Sequence, residues 1–256
     1  MCGRGAEQAP VPIVIPLMDI AKEQQAFRKA RPSFLGRGIE RLTNPFGKAL
    51  SAMVPDALVD AVIRGIDAAA NAPALTRFRH DPADLEASRQ AARKVERLAK
   101  NVNGATGAAA GFGGAISAGV DVPTSIAIAL RNIRDTGRAY GYDGKGPEEK
   151  LFRLRVLELA AIDDPKLRAE RIAALEAAIA PDGSLLPVSA DATNAMVDAT
   201  VERLSRAVAF ASFRKRMGMM VPVAGSAVGL MVNRSFQADV AKTARFAFQE
   251  RRLKSR

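Results

Sequence analysis

The stretch that decides the fold is NVNGATGAAAGFGGAISAGVD, from Asn101 to Asp121, in which small residues recur every four positions at Gly107, Gly111, Ala115 and Gly119. Residues four apart lie on the same face of an α-helix. A face made only of small side chains lets the backbone of a second helix approach closely. The stretch therefore predicts a close-packed helix.

A second stretch has the same character. It reads MGMMVPVAGSAVGLMVN, from Met217 to Asn233, and it places Gly225 and Gly229 four residues apart. Small faces of this kind pair helices in lipid, and they also pack helices tightly in the core of a water-soluble protein. In either setting, we expect these two stretches to be helices that pack closely.

Helix start signals recur along the chain, whereas strand signals are nearly absent. Proline suits the first turn of a helix, where its missing N–H has no intrahelical partner. Helices are predicted to begin at Pro55-Asp56, Asp81-Pro82, Gly146-Pro147 and Asp164-Pro165. The one β-branched cluster, Val11–Ile15, is interrupted by proline and is predicted to be extended. The predicted fold class is all-α: a mobile N-terminal arm (residues 1–16), then a single compact multi-helix domain with glycine-rich close-packed helices (residues 17–256).

Composition excludes several classes of function. Apolar residues make up 48% of the 256 residues and charged residues 25%, which is typical of a folded chain. Cys2 is the only cysteine and His80 the only histidine, so the chain offers neither an intramolecular disulfide nor a Cys/His zinc site. It has no motif for a nucleotide or a nucleophilic serine. We expect no cofactor, no metal and no catalytic residue, and we do not expect His80 beside Asp81 to act as a general base.

The net charge of +11 is concentrated near the C-terminus, since the segment from Val201 to Arg256 carries 12 Lys or Arg and 3 Asp or Glu. A basic segment favours phosphate-bearing partners, either anionic lipid or nucleic acid, and it also serves as a solvated face. Aromatic groups among cations suit the surface of an anionic membrane. The predicted membrane contact comprises Phe210, Phe213, Arg214, Lys215 and Arg216.

Neither glycine-containing stretch is suited to cross a bilayer alone. A span needs about 20 predominantly apolar residues. The first stretch contains asparagines and many glycines and is interrupted by Asp121, and the second has 17 residues and a proline. Three arrangements stay open: a helix pair at or partly within a membrane face, a pair buried in a soluble core, and a spanning pair. The cations beside the second stretch favour the first arrangement.

These same stretches resemble the EcsC family, bacterial proteins named for an association with an ABC transporter operon. The matching residues are GAAAGFGGAISAGVDVPTSIAIALRNIRDTGRAYGYD, from Gly107 to Asp143, and VPVAGSAVGLMVNRSFQADVAKTARFAFQERRL, from Val221 to Leu253. Within them, the Asp-x-Pro element and the Tyr-Gly-Tyr-Asp element fall in the family's order. The resemblance implies a helical, membrane-associated protein, and it does not supply a reaction.

Polar residues of the matching segments form a candidate polar pocket. Its predicted members are Asp121, Arg131, Arg134, Arg138, Tyr140, Tyr142, Asp143 and Asn233. The three arginines stand three and four residues apart, so they share a helix face that suits a phosphate or carboxylate. Each feature also has a structural interpretation. Asp121 suits an N-cap of the helix that follows it, and the tyrosine turn suits a helix C-terminus with glycine in the left-handed conformation.

The leading hypothesis from the sequence is a non-catalytic membrane-associated protein that binds anionic lipid or modulates a membrane complex. We expect it in the cytoplasm, peripherally associated with or partly inserted in the inner membrane. Its N-terminal apolar run is short and broken by proline, so it does not have the pattern of a secretory signal. One alternative is an enzyme acting on a lipidic or phosphorylated substrate in the polar pocket. The other is a non-specific nucleic-acid binder.

Overall fold

The computed structural model describes residues 14–30, 56–111, 118–162, 165–189, 191–203, 205 and 225–256. These residues form eight helices and no β-strand, apart from one isolated antiparallel bridge between Ile179 and Leu185. The helices are α1 (Val14–Lys29), α2 (Asp56–Asn71), α3 (Leu85–Gly111), α4 (Ala118–Ala139), α5 (Pro147–Ala161), α6 (Pro165–Ala177), α7 (191–203) and α8 (Gly225–Lys254). The predicted all-α fold class is confirmed.

Three of the predicted helix starts are confirmed, at α2, α5 and α6. The fourth is wrong, because α3 begins at Leu85 and not at the Asp81-Pro82 pair. Asp84 is the residue that caps this helix: its Oδ1 accepts hydrogen bonds from the backbone N–H groups of Glu86 (2.9 Å) and Ala87 (3.0 Å). Asp81 instead closes a turn before the helix, where its backbone oxygen accepts from the N–H of Asp84 (3.0 Å).

The first helix begins within the predicted N-terminal arm. α1 starts at Val14, so residues 14–16, predicted to belong to an extended arm, form its first turn. Proline is tolerated there because the first turn needs no backbone N–H donor. The rest of the predicted arm, residues 1–13, lies outside the described residues.

The hydrophobic core is centred on α4 and α8. Phe246 and Phe248 of α8 are almost completely buried. The ring of Phe246 stacks on Phe27 of α1, with centroids 4.3 Å apart. Phe248 lies against Gly137 of α4, where an added Cβ would lie 2.7 Å from the ring. Because Gly137 has no Cβ, the ring of Phe248 can pack directly against α4. Burial of a large apolar side chain such as this one contributes about 1.5–3 kcal/mol, which stabilises the helix pair.

Helices α4 and α8 run parallel to each other. Near the start of α4, the Nε2 of Gln237 donates to the backbone oxygen of Ser125 (3.3 Å). Just beyond the end of α4, the Nε2 of Gln249 donates to the hydroxyl of Tyr140 (3.2 Å). Residue numbers therefore rise in the same direction along both helices.

Helix α3 runs antiparallel to α8, and therefore to α4. Arg245 of α8 pairs with Glu96 in the middle of α3. Further along α8, Arg252 donates to the backbone oxygen of Pro82, just before α3 (2.7 Å). Residue numbers fall along α3 as they rise along α8.

These directions give the helical bundle two chemically different ends. The glycine end consists of residues 101–111 of α3, 118–123 of α4 and 225–233 of α8. The arginine end consists of the loop 140–146, the loop 181–187 and residues 251–256. The N–H of Arg251 Nε donates to the backbone oxygen of Gly183 (2.9 Å), which joins two parts of the arginine end.

Candidate functional site

The residues predicted to line one polar pocket are divided between the two ends of the bundle. Asp121 is the fourth residue of α4, and Tyr140 follows the last residue of that helix. At 1.5 Å per helical residue, about 28 Å of helix separates them. The parallel register of α4 and α8 places Asn233 toward the glycine end, together with Asp121. The structure therefore does not bring the predicted set into one pocket.

The prediction that Asp121 is an N-cap is wrong. Helix α4 begins three residues earlier, at Ala118, so the backbone of Asp121 is helical. An N-cap residue stands outside the helical backbone.

The Tyr-Gly-Tyr-Asp element ends α4 in the predicted way. Gly141 has a φ of 87°, the left-handed conformation in which glycine carries no Cβ penalty. The N–H of Tyr142 donates to the oxygen of Gly137 (2.9 Å), and the N–H of Gly141 donates to that of Arg138 (3.0 Å). These two bonds define a Schellman motif. The structural interpretation of this element is confirmed.

Tyr140 belongs to the core and not to a pocket. It is completely buried, and its hydroxyl accepts a hydrogen bond from Gln249. Burial raises the pKa of Tyr140 to about 12. Gln249 also bonds Glu23 (2.9 Å), and its Oε1 accepts from Gln24 (2.7 Å). Tyr140 thus anchors a buried network that joins α1, α4 and α8.

Arg134 forms hydrogen bonds with backbone carbonyl groups at the C-terminal end of α2, so its guanidinium is occupied within the protein. Its Nη1 donates to the backbone oxygens of Ala69 (3.1 Å) and Ala72 (2.9 Å). Its Nε donates to Asp135 (3.1 Å), a fully buried carboxylate that also accepts from the N–H of Leu75 (2.5 Å). Sequence reasoning missed Asp135, although its position beside the arginines was a usable signal. Together the two side chains fix the chain as it leaves α2.

The other two arginines of the predicted trio differ from Arg134. Arg138 lies 3.3 Å from the carboxylate of Asp143, whose side chain is 60% exposed. Arg131 is half-buried, and its Nε has no hydrogen-bond partner in the described part of the chain. The shared helix face therefore does not converge on one anion.

Arg251 is the central cation of the arginine end, and the sequence analysis did not single it out as a site residue. Its side chain is 3% exposed, and its Nη1 lies 2.8 Å from Glu149. The guanidinium lies over the ring of Tyr142, 3.8 Å from the ring centroid. Arg153 approaches the other oxygen of Glu149 at 4.0 Å and donates to the backbone oxygen of Gly144 (2.5 Å). Burial lowers the pKa of Arg153. These contacts hold the two loops of the arginine end together.

Several cations in the described part of the basic C-terminal segment contact other elements of the protein. Its cations bind carboxylates or backbone oxygens of other elements: Arg245 with Glu96, Arg251 with Glu149, Arg252 with Pro82, Lys254 with Glu176 and Ile179, and Arg256 with Ala83. Their concentration in the sequence favoured a phosphate-bearing partner. The structure gives these particular side chains a folding role.

His80 also has a structural contact. Its Nε2 lies 2.8 Å from the backbone oxygen of Ala139, at the end of α4. The ring edge packs against Phe78, with centroids 5.7 Å apart. The neighbouring Asp81 accepts from the N–H of Ala83 (2.9 Å). Both polar side chains therefore bond to the backbone.

The glycine end gathers five of the six residues predicted for close packing: Gly107, Gly111, Gly119, Gly225 and Gly229. The sixth, Ala115, lies outside the described residues. The prediction that the first stretch forms one helix with a single small face is wrong, because Gly107 and Gly111 lie on α3 whereas Gly119 lies on the antiparallel α4. That the small residues of these helices touch stays a prediction. The predicted membrane contact lies outside the described residues as well: Phe210, Phe213, Arg214, Lys215 and Arg216.

The described helices also bear on membrane spanning and on metal binding. Within them, no helix has both the length and the hydropathy needed to cross a membrane. The same part of the chain contains no group of three or more His, Cys, Asp or Glu side chains arranged to hold a metal ion.

The fold and the two ends define an all-helical protein with a glycine-rich end, whose described residues include one charged residue, Asp121, and an arginine-rich end held by internal ion pairs. The chain belongs to the EcsC protein family, which it matches over residues 17–253. It is similar to a Bacillus subtilis (strain 168) protein described as "Uncharacterized protein YdbA", with 29% identity over 170 residues. That similarity covers 63% of this chain and 58% of the relative, so the chain spans less than two thirds of the relative's length. No solved structure matches the chain.

Proposed function

We propose that this protein is a non-catalytic membrane-associated protein whose glycine end enters one leaflet of a membrane that contains anionic lipid. The observation that carries the proposal is the segregation of charge along the bundle. Residues 101–120 and 217–233 contain no Asp, Glu, Lys or Arg, and the described parts of both stretches lie at the same end. Charged groups are costly in hydrocarbon, so this end is the one suited to enter it.

The length of the uncharged end supports partial insertion. Residues 101–111 of α3 extend about 15 Å, and residues 225–233 of α8 extend about 12 Å, at 1.5 Å per residue. The hydrocarbon core of a bilayer is about 30 Å thick. The uncharged end therefore matches one leaflet. Asp121 is the exception within it, and it stands in the first turn of α4, where the helix dipole favours an acid.

The predicted aromatic and basic contact supports the same orientation. These residues are Phe210, Phe213, Arg214, Lys215 and Arg216, and the last of them is separated in sequence from Gly225, the first residue of α8, by eight uncharged residues. Each cation near an anionic surface contributes about 1 kcal/mol, which gives an attraction that weakens with salt.

The proposal is tested by co-flotation of the full chain with vesicles. Mixed phosphatidylglycerol and phosphatidylcholine vesicles are compared with pure phosphatidylcholine, each at low and high salt. Insertion predicts binding to the anionic vesicles and a fraction that persists at high salt. Protein that stays at the bottom of the gradient at low salt contradicts the proposal.

A matched pair of variants separates insertion from surface attraction. Val102 is 36% exposed at the glycine end, and Leu186 is 46% exposed at the arginine end. Val102→Glu is expected to weaken vesicle binding about tenfold, which corresponds to about 1.4 kcal/mol, whereas Leu186→Glu leaves it unchanged. Equal effects of the two substitutions contradict insertion by the glycine end.

The two alternatives from the sequence lose support. The enzyme hypothesis rested on clustering of its polar residues, but Asp121 and Asp143 lie at opposite ends of α4. The nucleic-acid hypothesis rested on the basic C-terminal segment, whose Arg245, Arg251 and Arg252 bind inside the protein. We therefore propose neither activity.

A further inference from the structure

A cleft of about 420 Å³ lies between the C-terminal end of α1 and helix α6. It runs beside the C-terminal half of α8, since Arg28 at one wall pairs with Glu250 of α8 and with Glu176 of α6. It is therefore separate from the glycine end. Its volume lies in the range of about 300–1,000 Å³ that is typical of pockets for small molecules.

The walls of the cleft combine apolar and charged groups. The α6 side is formed by Ala169, Ile172 and Ala173. Lys29 and Arg168 border the same space, as does Glu176, whose carboxylate is paired with Arg28. This combination suits a molecule with an apolar part and an anionic group, because the apolar wall excludes water from one part while the cations attract the other.

The cations of the cleft differ in whether a carboxylate of the protein already pairs with them. Arg28 already has two carboxylate partners, as described above. Within the described part of the chain, no carboxylate lies within ion-pair distance of Lys29 or Arg168, although the charge of Asp239 on α8 also acts on Arg168. The guanidinium of Arg168 stacks on Phe27, 4.3 Å from the ring centroid, and its Nη1 lies 3.4 Å from the backbone oxygen of Leu159.

Arg168 brings a guanidinium to the wall of the cleft. Its Nε is buried rather than open to the cleft, and it has no hydrogen-bond partner in the part of the chain that the structure describes. Burial also lowers the pKa of Arg168. A planar guanidinium binds a carboxylate or phosphate through paired N–H groups, and a bound anion offsets the cost of a half-buried cation.

We propose that this cleft binds an amphipathic anion, a carboxylate or phosphate carried on a short alkyl chain. Lys29 and Arg168 hold the anionic group, and Ala169, Ile172 and Ala173 contact the chain. The site goes beyond the proposed membrane function, because it lies away from the glycine end. The same chemistry is offered by a free amphiphile and by a membrane lipid, and the experiment separates these two sources.

The test is calorimetric titration of the full chain with decanoate and with decyl phosphate. Saturable one-to-one binding of at least one of them is expected, and no binding of decanol or inorganic phosphate is expected over the same concentrations. Absence of saturable binding by both anionic amphiphiles overturns the proposal. Equal binding of decanol overturns it as well, because the cations would then have no role.

Two matched pairs of variants locate the site. Ala173 lines the cleft, whereas Ala174 is an exposed neighbour outside its lining. Ala173→Leu narrows the cleft and is expected to weaken binding at least tenfold, and Ala174→Leu leaves it unchanged. Lys29→Gln and Lys166→Gln form the corresponding charge pair, in which only the first is expected to weaken binding. Indistinguishable dissociation constants within both pairs overturn the assignment to this cleft.

The source of the ligand is decided by repeating the vesicle flotation with Ala173→Leu. If vesicle binding falls together with amphiphile binding, the site takes a lipid from the membrane; if it is unchanged, the site takes a free amphiphile. Both outcomes support the site. The membrane proposal is judged separately by Val102→Glu, so failure of one proposal is distinguishable from failure of the other.

Discussion

Replacing Arg251 by methionine is expected to destabilise the protein strongly, because one buried guanidinium joins three parts of the arginine end. Its Nη1 pairs with Glu149 of α5 at 2.8 Å, and its Nε donates to Gly183 in the loop 181–187. It also lies over the ring of Tyr142, in the loop that follows α4. Methionine retains much of the apolar stem and removes all three polar contacts.

The expected size of the loss follows from the burial of the pair. Arg251 is 3% exposed and Glu149 is 13% exposed. Removing one partner of a buried ion pair costs about 3–5 kcal/mol, because the other charge is left without compensation. Arg153, at 4.0 Å from Glu149, compensates part of that charge. We therefore expect Arg251→Met to lower the free energy of unfolding by about 3 kcal/mol.

Urea denaturation followed by circular dichroism measures this loss in a double-mutant cycle. Glu149→Gln removes the charge that Arg251→Met leaves buried, so the double variant should lose at least about 1 kcal/mol less than the sum of the single losses. Arg256→Met serves as the control: its contact with Ala83 is exposed, and a change below about 0.5 kcal/mol is expected. A loss below about 0.5 kcal/mol for Arg251→Met, or strict additivity, would refute the reasoning.

Three further perturbations test other parts of the structure. Gly183→Ala should lower the free energy of unfolding by roughly 2 kcal/mol, since Gly183 has a φ of 78° and an added Cβ would collide with the backbone oxygen of Arg251; unchanged urea stability contradicts this. Although burial opposes it, Arg245 and Lys100 hold the pKa of Glu96 below its ordinary 4.5, so its stabilisation is present above pH 4.5 and is lost as pH falls through the folded pKa. The stability difference between the native protein and Glu96→Gln should therefore shrink in acid, and a difference independent of pH counts against the pairing. In a Tyr142→Phe variant, tyrosinate absorbance should appear only near pH 12, because burial raises the pKa of Tyr140 from 10.0 to about 12, and stability should fall between these two values; ionisation near pH 10 in the folded protein would show that Tyr140 is exposed.

The start of a helix was predicted correctly where a single pair of neighbouring residues, one of them proline, marks it in the sequence. Pro147 follows Gly146 and precedes two glutamates, and α5 begins there. The start of α3 was misplaced because Asp81 and Asp84 both suit a cap, and a single sequence pattern does not rank them. The structure places a turn at Asp81 and the cap at Asp84.

The candidate site was less predictable, because its contacts join residues far apart in the chain. Leu75 and Asp135 are 60 residues apart, and Gln249 and Tyr140 are 109 apart. Helical periodicity relates only residues three or four apart, so it correctly placed the arginines on one face of α4. Helical periodicity could not show that Arg134 donates hydrogen bonds to carbonyl groups at the C-terminal end of α2, because α2 is distant in the sequence.

The distribution of charge in the folded protein also changes how net charge is interpreted. The excess of cations after Val201 first indicates a surface for lipid phosphate, but Arg245, Arg251 and Arg252 bind elements of the protein itself. Their contacts all hold the half of the bundle away from the glycine end. The scarcity of charge at the glycine end and the ion pairs at the arginine end are therefore two consequences of the same segregation of charged residues. If the glycine end enters a membrane, the arginine end with its two loops faces the aqueous phase, and the cleft between α1 and α6 stays open to solutes there.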